Sequence, residues 1–528
     1  MKKILLVLLI LFYIFTVACG EKNKEKPQRD DKMSREEIII DVNKENEISP
    51  LSEGLFSTFV EQLGRQVYGG IYQPSHMTSD NDGFRKDVID LVKELGTKYV
   101  RYPGGNFVSG YNWKDGIGKT RTPKIDTTAN QLDPNTIGVD EFMKWADKVG
   151  MEVMMAVNLG NGTAESAGEL VEYCNATSGK WAEERKSNGH AEPYGIKYWC
   201  LGNEMDGDWQ IGHCNAYEYA ERANEAAEKM KKADPDIKLI YCGSSSPGSA
   251  TFRSWDRTVI ANCYDNIDCL SIHSYFSYNR TDNEMGKFLS SATVLDGYIT
   301  TIRDIIEEEK EKHENKRDVK ISLDEWNIWY SDEGNDWSQG KDVVGPKRCE
   351  NVFSSLDATV VGSLLSVIIN NADIIDIACM AQLVNVIAPI MVDPNGDAIR
   401  QTIFYPYKHV IDSAKGKAYK TQVKVTPLNS TDYSTIPSAT VSVTYDESTK
   451  EGMILVCNLS GIQRRVILEA NGFGKVTPYK LITMNGNTNV KNTLAKPNQA
   501  VPKTIDLNVD QKVSVGPYSW NVIKFKSL

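Results

Sequence analysis

A chain of 528 residues is too long for one compact core, so its length calls for one large domain and a smaller companion. With 41% hydrophobic and 25% charged residues the composition is that of an ordinary globular protein, and a formal net charge of -11 argues against a nucleic-acid partner, which usually calls for a basic patch. Neutral substrates such as sugars are compatible with that balance.

At the N-terminus Lys2 and Lys3 form a basic region and Ile4 to Val17 an apolar one, followed by Ala18 and Cys19. The stretch resembles a bacterial lipoprotein signal, in which the chain is cut before a cysteine that is then lipidated, although Thr16 stands where that pattern favours Leu. A spanning anchor is the competing reading, but the run falls short of the roughly 20 apolar residues that a transmembrane helix needs. Residues 1–18 therefore read as a signal peptide, Cys19 as the lipidation site and 19–37 as a charged, flexible tether. The expectation is an exported protein, lipid-anchored to the bacterial cell envelope and meeting the membrane by that anchor only. Nine further cysteines, an odd number without CxxC spacing, predict mostly free buried thiols and no structural zinc.

From residue 51 to 414 short apolar runs alternate with amphipathic stretches. Predicted strands are Phe56–Val60, Lys98–Tyr102, Glu152–Leu159, Lys197–Leu201, Lys238–Cys242, Asp268–His273, Val319–Leu323 and Ile374–Met380. Helical spacing recurs between them at Phe84–Leu95, Val139–Val149, Glu165–Tyr173, Ala216–Lys232, Val294–Glu311 and Cys349–Ile369. The strands end in polar residues: Glu61, Arg101 with Asn106, Asn158 with Asn161, Asn203-Glu204, Ser244-Ser245, His273 with Tyr275, Glu325 and Gln382. Eight units with polar ends favour a closed (β/α)8 TIM barrel, which converges those ends on one pocket.

After residue 414 the runs become short, β-rich and separated by turn residues, the texture of an antiparallel, jelly-roll-like β-sandwich over 415–528. The segment 38–50, ahead of the barrel, reads as a strand joining that sandwich.

Phe59-Val60-Glu61-Gln62-Leu63-Gly64-Arg65, the block from Arg101 through Pro103-Gly104-Gly105-Asn106 to Trp113, and Gly202-Asn203-Glu204-Met205-Asp206-Gly207 are long, ordered motifs. So are Ser271-Ile272-His273-Ser274-Tyr275, Asp324-Glu325-Trp326-Asn327 and the run from Ala381-Gln382 to Ile390. Together they resemble the α-L-arabinofuranosidases of glycoside hydrolase family 51, from about Ser49 to the closing Gly516–Ile523. The resemblance implies a retaining exo-glycosidase with Glu204 as acid/base and Glu325 as nucleophile, two carboxylates that must share a pocket in different protonation states. It further implies that Glu61, Asn106, Asn203, Tyr275 and Gln382 bind the sugar, Asn203 at the 2-hydroxyl, while Arg101 holds Glu325 ionised and His273 tunes Glu204. The partner would be a plant-type arabinose-containing oligo- or polysaccharide, and relatives' habits imply a homo-oligomer. No cofactor or metal is called for.

Each residue has a plainer competitor. A lone glutamate is more often a surface or salt-bridged carboxylate, and a histidine on an apolar strand is more often a satisfied core group. Trp113, Trp209, Trp329 and Trp337 lie past strand ends and divide between core packing and sugar platforms. Gly104-Gly105 reads as a tight turn, since no Lys-Ser/Thr follows to make a phosphate cradle. Asp206 and Asp208 near His213 fit no standard metal spacing. An endoglucanase or β-xylosidase on the same barrel is the nearest alternative function, and a non-catalytic, lipid-anchored glycan-binding protein is the remote one.

Overall fold

A computed structural model describes residues 36–278, 285–429, 435–485, 488–509 and 511–527. The expected signal peptide, Cys19 and nearly all of the tether lie outside the described residues. Eight parallel strands follow one another around a closed barrel: Gly54–Phe59, Tyr99–Tyr102, Glu152–Val157, Tyr198–Leu201, Lys238–Cys242, Cys269–Phe276, Lys320–Ile328 and Ile375–Met380. The last strand pairs back onto the first. Helices cover the barrel outside and side chains fill it inside, so both faces of each strand are buried and the runs read as continuous apolar sequence. The expected barrel is borne out at all eight strands.

Local chemistry sets the helix ends. Lys86–Leu95 and Val139–Val149 stop at Gly96 and Gly150, whose φ values of 81° and 78° are the left-handed conformation that glycine adopts without a Cβ clash. The helix expected from Cys349 begins only at Ser355, because Ser354 and Asp357 form a reciprocal capping box there. Lys180–Ser187 buries only Ala182 and Arg185, so no apolar stripe announces it in the sequence.

The C-terminal region forms a nine-stranded sheet in the order Lys503–Asp506, Val476–Met484, Ser519–Ser527, Glu451–Asn458, Ala439–Asp446, Lys417–Lys424, Glu37–Pro50, Arg464–Asn471 and Val513–Val515. Leu481 and Ile523 from one flank share an apolar core with Ile38, Val513 and Val515 from the other, so the sheet folds over on itself as a sandwich. One pair departs from the expected antiparallel pattern: Glu37–Pro50 runs parallel to Arg464–Asn471. A strand arriving from the distant N-terminus is tied to its neighbour by no hairpin, so nothing forces opposite directions.

Helix Ser355–Asn370 lies between barrel and sheet, with Ser355 to Ile369 all buried. A Cβ at Gly362 would stand 2.9 Å from Cys457 Sγ and 3.0 Å from Trp520 Cβ, so glycine allows this close approach. The nine described cysteines are free thiols. Among the described residues, no helix is long and apolar enough to cross a membrane.

Candidate active site

The seventh barrel strand, Lys320–Ile328, is irregular where the chemistry sits. Its register slips against one neighbour between Ser322 and Glu325 and against the other between Leu323 and Trp326. Such a bulge re-aims side chains, and here two consecutive carboxylates reach the same guanidinium. Arg101 Nη1 donates to Glu325 Oε1 at 2.6 Å, while Arg101 Nε stands 3.4 Å from Asp324 Oδ2. Arg101 Nη2 donates to Asn203 Oδ1 at 2.8 Å, and Tyr275 OH donates to Glu325 Oε2 at 2.7 Å.

The fourth strand, Tyr198–Leu201, delivers Asn203 and Glu204 through a sharp turn, with Gly202 at φ 85° and Glu204 at φ 43°. A non-glycine residue held in that left-handed region costs on the order of 1–3 kcal/mol, which the surrounding contacts must offset. Glu204 Oε1 is bonded to His273 Nδ1 at 2.8 Å, and Glu204 Oε2 accepts from Trp209 Nε1 at 2.8 Å. His273 Nε2 lies 3.2 Å from Asp324 Oδ1, which also accepts from Ser271 Oγ at 2.5 Å. Burial opposes charge on His273, but Glu325, Asp324 and Glu204 outweigh it and hold the imidazole well above its usual pKa. Burial likewise pushes Asp324 upward, yet Arg101 and His273 hold it below the usual carboxylate range. Tyr275 is raised well above the usual phenol value, first by burial and then by the charge of Glu325, so it stays a donor.

At the base of the pocket Glu61 Oε1 accepts from Phe107 N at 3.0 Å and Oε2 from Gln382 Nε2 at 2.9 Å. Burial, only partly opposed by the Phe107 bond and reinforced by the charge of Glu325, pushes the Glu61 carboxyl up to about 7. A Cβ at Gly105 would stand 3.1 Å from Glu61 Oε1 and 3.3 Å from Glu325 Oε1, so the backbone passes tightly between the two carboxylates. That is why the Gly-Gly turn is needed here.

These groups surround a cavity of about 630 Å³ lined by Glu61, Asn106, Glu204, Tyr275, Glu325 and Gln382, with Trp209, Trp329 and Trp337 at its rim. Asn203, Arg101 and His273 sit just beneath, each nearly fully buried. Asn203 Nδ2 reaches toward Asn106 Oδ1 at 3.4 Å. All nine barrel residues singled out in the sequence are therefore brought together; Cys19 lies outside the described residues.

Other strand-end residues do different work. Trp113 is buried in the core, packed on Trp181 and Tyr173 at centroid distances of 5.0 and 5.3 Å, and offers no sugar platform. Its 3-10 turn directs the ring inward. Asn158 Oδ1 accepts from the backbone of Gly160, Asn161 and Gly162 and so shapes its own loop. Asp206 Oδ2 accepts from Ser245 N and Thr251 Oγ1, tying two rim loops together.

Two important side chains were not singled out in the sequence. Asp324 precedes Glu325, and strict alternation along a strand turns it outward; only the bulge brings it in. Arg348 lines the cavity and donates to the carbonyls of Ala129, Asn130, Asp336, Gln339 and Lys347, joining a hairpin tip to the rim loop opposite. No local motif signals a cation whose acceptors are all backbone. One donor atom each from Glu204, His273 and Glu325 lies within 4.8 Å of the others, the spacing of a metal site. Both carboxylates are already engaged by N–H or O–H donors, and His273 bridges Glu204 and Asp324, so the cluster reads as a hydrogen-bond network.

Comparison with known proteins agrees with this geometry. Residues 91–292 match the Alpha-L-arabinofuranosidase 1 domain family, and 324–519 match the Alpha-L-arabinofuranosidase C-terminal domain family. The chain is 39% identical over 504 residues to intracellular exo-α-(1→5)-L-arabinofuranosidase 1 of Bacillus subtilis, covering 94% of this chain and 99% of the relative. It is 40% identical over 509 residues to an exo-α-(1→6)-L-arabinofuranosidase of Bifidobacterium longum, covering 93% and 98%. The solved structure of a family 51 α-L-arabinofuranosidase from Bifidobacterium longum superposes with a TM-score of 0.89 at 36% identity, covering 93% of this chain and all of that one.

These relatives correct one expectation. The Bacillus enzyme and three further relatives at 41–44% identity carry the word intracellular in their names, against an exported, lipid-anchored protein. A basic pair before a short apolar run is a compositional signal from fewer than twenty residues, whereas the similarity runs through nearly the whole chain. On that similarity, and on the strand ends that carry it, the chain belongs to the α-L-arabinofuranosidases of glycoside hydrolase family 51.

Proposed function

We propose that the enzyme releases terminal α-L-arabinofuranosyl residues from arabinan- or arabinoxylan-type glycans by a retaining double displacement. The observation that carries this reading is the approach of Glu204 and Glu325, whose nearest donor atoms lie within 4.8 Å in one pocket. Retaining glycosidases hold their two carboxyl groups about 5 Å apart, while inverting ones leave roughly 6.5 to 9.5 Å for a water.

Glu325, held by Arg101 and Tyr275, attacks the anomeric carbon while Glu204 gives its proton to the departing oxygen. The glycosidic bond breaks as the bond to Glu325 forms. A water then gives its proton to Glu204 and its oxygen to the anomeric carbon, releasing arabinose and restoring both glutamates. Asn203, its amide oxygen taken by Arg101, presents its NH₂ to the sugar's 2-hydroxyl, and Glu61, Asn106 and Gln382 hold the remaining hydroxyls. Arg101 anchors Glu325 by a charge-assisted hydrogen bond, and His273 orients Glu204. With both carboxylates present and engaged, the non-catalytic glycan-binding reading has no structural support. Linkages (1→5) and (1→6) both occur in the names of relatives, so the proposal stays at the level of the arabinofuranosyl terminus.

Proton NMR of the first product from a nitrophenyl α-L-arabinofuranoside tests it. The α-furanose anomer should precede mutarotation; an initial β anomer means inversion and sinks the proposal.

A further inference from the structure

The catalytic cavity of about 630 Å³ has room for more than the one sugar that Glu61, Asn106, Glu325 and Gln382 surround. A pentosyl unit with its glycosidic oxygen has about ten non-hydrogen atoms, and even at the roughly 30 Å³ of liquid that a water molecule takes for each, it fills about 300 Å³, under half of that space. What remains lies toward the rim, where three tryptophans stand. A glycosidase that protonates its leaving group holds that group beside the acid, so the position of Glu204 decides which of the three it meets.

Trp329 meets Tyr275 edge-on at 5.5 Å, and Tyr275 is bonded to Glu325, so this ring belongs to the nucleophile's side. One face of Trp337 is covered by the Arg348 guanidinium at 4.4 Å, and Arg348 donates to Ala129 O, so that ring stands with the hairpin wall. Trp209 is the one bonded to the acid/base, through Nε1 to Glu204 Oε2 at 2.8 Å. Its backing is Gly207. A Cβ built there would stand 2.5 Å from Trp209 Cε2 and 2.7 Å from Cη2, with Cζ2 between them, which is a position over the ring face and not beyond its edge. Glycine thus lets the indole lie flat on the backbone with one face closed, while the residue stays 54% exposed and lines the cavity. Asp206 Oδ2 holds this loop to that of Ser245. Ser246, next along the cavity wall, accepts from Gly248 N at 3.0 Å and gives its own hydroxyl proton to no group among the described residues.

A sugar ring matches this surface, because its C–H face packs on an indole face while the hydroxyls around its edge find a donor in Ser246. We propose that Trp209 is the platform for the sugar unit on the leaving-group side of the scissile bond. One indole then does two things: its open face seats the departing sugar, and its N–H holds the carboxylate that protonates it. The substrate class so selected is a glycan whose arabinofuranosyl terminus is borne on another sugar, in preference to one borne on a small alcohol. The inference rests on the arabinofuranosidase reading, with Glu204 as the acid.

The test compares Trp209→Ala with Trp209→Phe in the full chain, on two substrates whose leaving oxygen must be protonated. One is methyl α-L-arabinofuranoside, whose leaving group has no ring; the other is whichever of the α-(1→5)- and α-(1→6)-linked arabinobioses the enzyme turns over faster. Both variants lose the N–H to Glu204, so that loss cancels between them and only the ring differs. On arabinobiose kcat/KM of Trp209→Ala should fall about tenfold below that of Trp209→Phe, with the difference carried by KM, while on the methyl glycoside the two should agree within about twofold. Gly207→Ala, which keeps Trp209 but pushes the ring off its seat, should resemble Trp209→Ala on both substrates. A Phe-to-Ala ratio no larger on arabinobiose than on the methyl glycoside overturns the platform and leaves the arabinofuranosidase reading standing. A Gly207→Ala enzyme indistinguishable from the parent also overturns the platform, since the ring is then not seated as the platform requires. No turnover of either substrate by the unaltered enzyme overturns the arabinofuranosidase reading, and this inference with it.

Discussion

Trp209 donates its indole N–H to Glu204 Oε2 at 2.8 Å, while His273 engages Oε1 of the same carboxylate at 2.8 Å. Each oxygen of the proposed acid/base therefore accepts one hydrogen bond and keeps a second lone pair for the proton it must carry. His273 is 2% exposed and pinned by Asp324, whereas Trp209 is 54% exposed on the rim, so Oε2 is the oxygen whose partner can yield to substrate.

Trp209→Phe keeps the ring and deletes the donor. Losing one hydrogen bond to the carboxylate is worth about 1 kcal/mol, so kcat/KM on an arabino-oligosaccharide, whose leaving group needs the proton, should change by up to about fivefold, while that on an activated nitrophenyl arabinofuranoside stays within about twofold. Equal effects on both substrates would remove Trp209 from control of Glu204.

The roles of the two glutamates separate under leaving-group and nucleophile tests. Glu204→Ala should turn over an activated nitrophenyl arabinofuranoside and regain rate with added azide, while losing about 10²- to 10⁴-fold on a sugar leaving group that needs a proton. Glu325→Ala should form no glycosyl-enzyme, which intact-mass spectrometry with a slow fluorinated substrate would reveal. Equal losses on every substrate, without azide rescue, contradict the assignment.

Glu61 carries a cost that depends on pH. Its folded-state pKa is raised to about 7 from 4.5, first by burial, so the proton-bound form favours folding below about pH 4.5 and that contribution is lost as pH rises toward 7. Ionised Glu61 thus opposes folding at pH 8 by an amount on the order of 3 kcal/mol. Glu61→Gln should raise Tm relative to the parent at pH 8 and change it little at pH 4.5, with a marked loss of sugar affinity. Equal Tm differences at both pH values would show that the buried charge is not the cause.

Arg348 joins the two walls of the cavity mouth through backbone carbonyls and stacks on Trp337 at 4.4 Å. Lysine cannot reproduce a planar fork that serves five acceptors. Arg348→Lys should raise KM several-fold for oligosaccharides while kcat on a nitrophenyl substrate stays within about twofold, since the chemistry lies deeper in the pocket. A fall in kcat with KM unchanged would place Arg348 in the chemistry and not in the walls.

Much of the fold is legible in the chain because burial on both faces writes each barrel strand as an unbroken apolar run, as Tyr198–Leu201 and Lys238–Cys242 show. Their boundaries drift where a specific contact intervenes, as at Ser354, or where a bulge carries a strand onward, as in Lys320–Ile328. The lipid-anchor reading failed for a different reason: a short apolar leader reports composition alone, with no packing partner to check it.

By itself the sequence determined the eight-unit barrel, the polar residues at its strand ends and the pairing of Glu204 with Glu325, since these follow from periodicity and ordered local motifs. Only the tertiary structure decided that Asp324 turns inward beside Glu325, that Trp209 and not Trp113 reaches the pocket, and that Arg348 spans its mouth. Each depends on a bulge or on a contact between residues far apart in the chain, and the physical reason is the same throughout. Local sequence specifies which way a regular backbone points its side chains, while irregular backbone and long-range acceptors exist only once the chain has closed on itself.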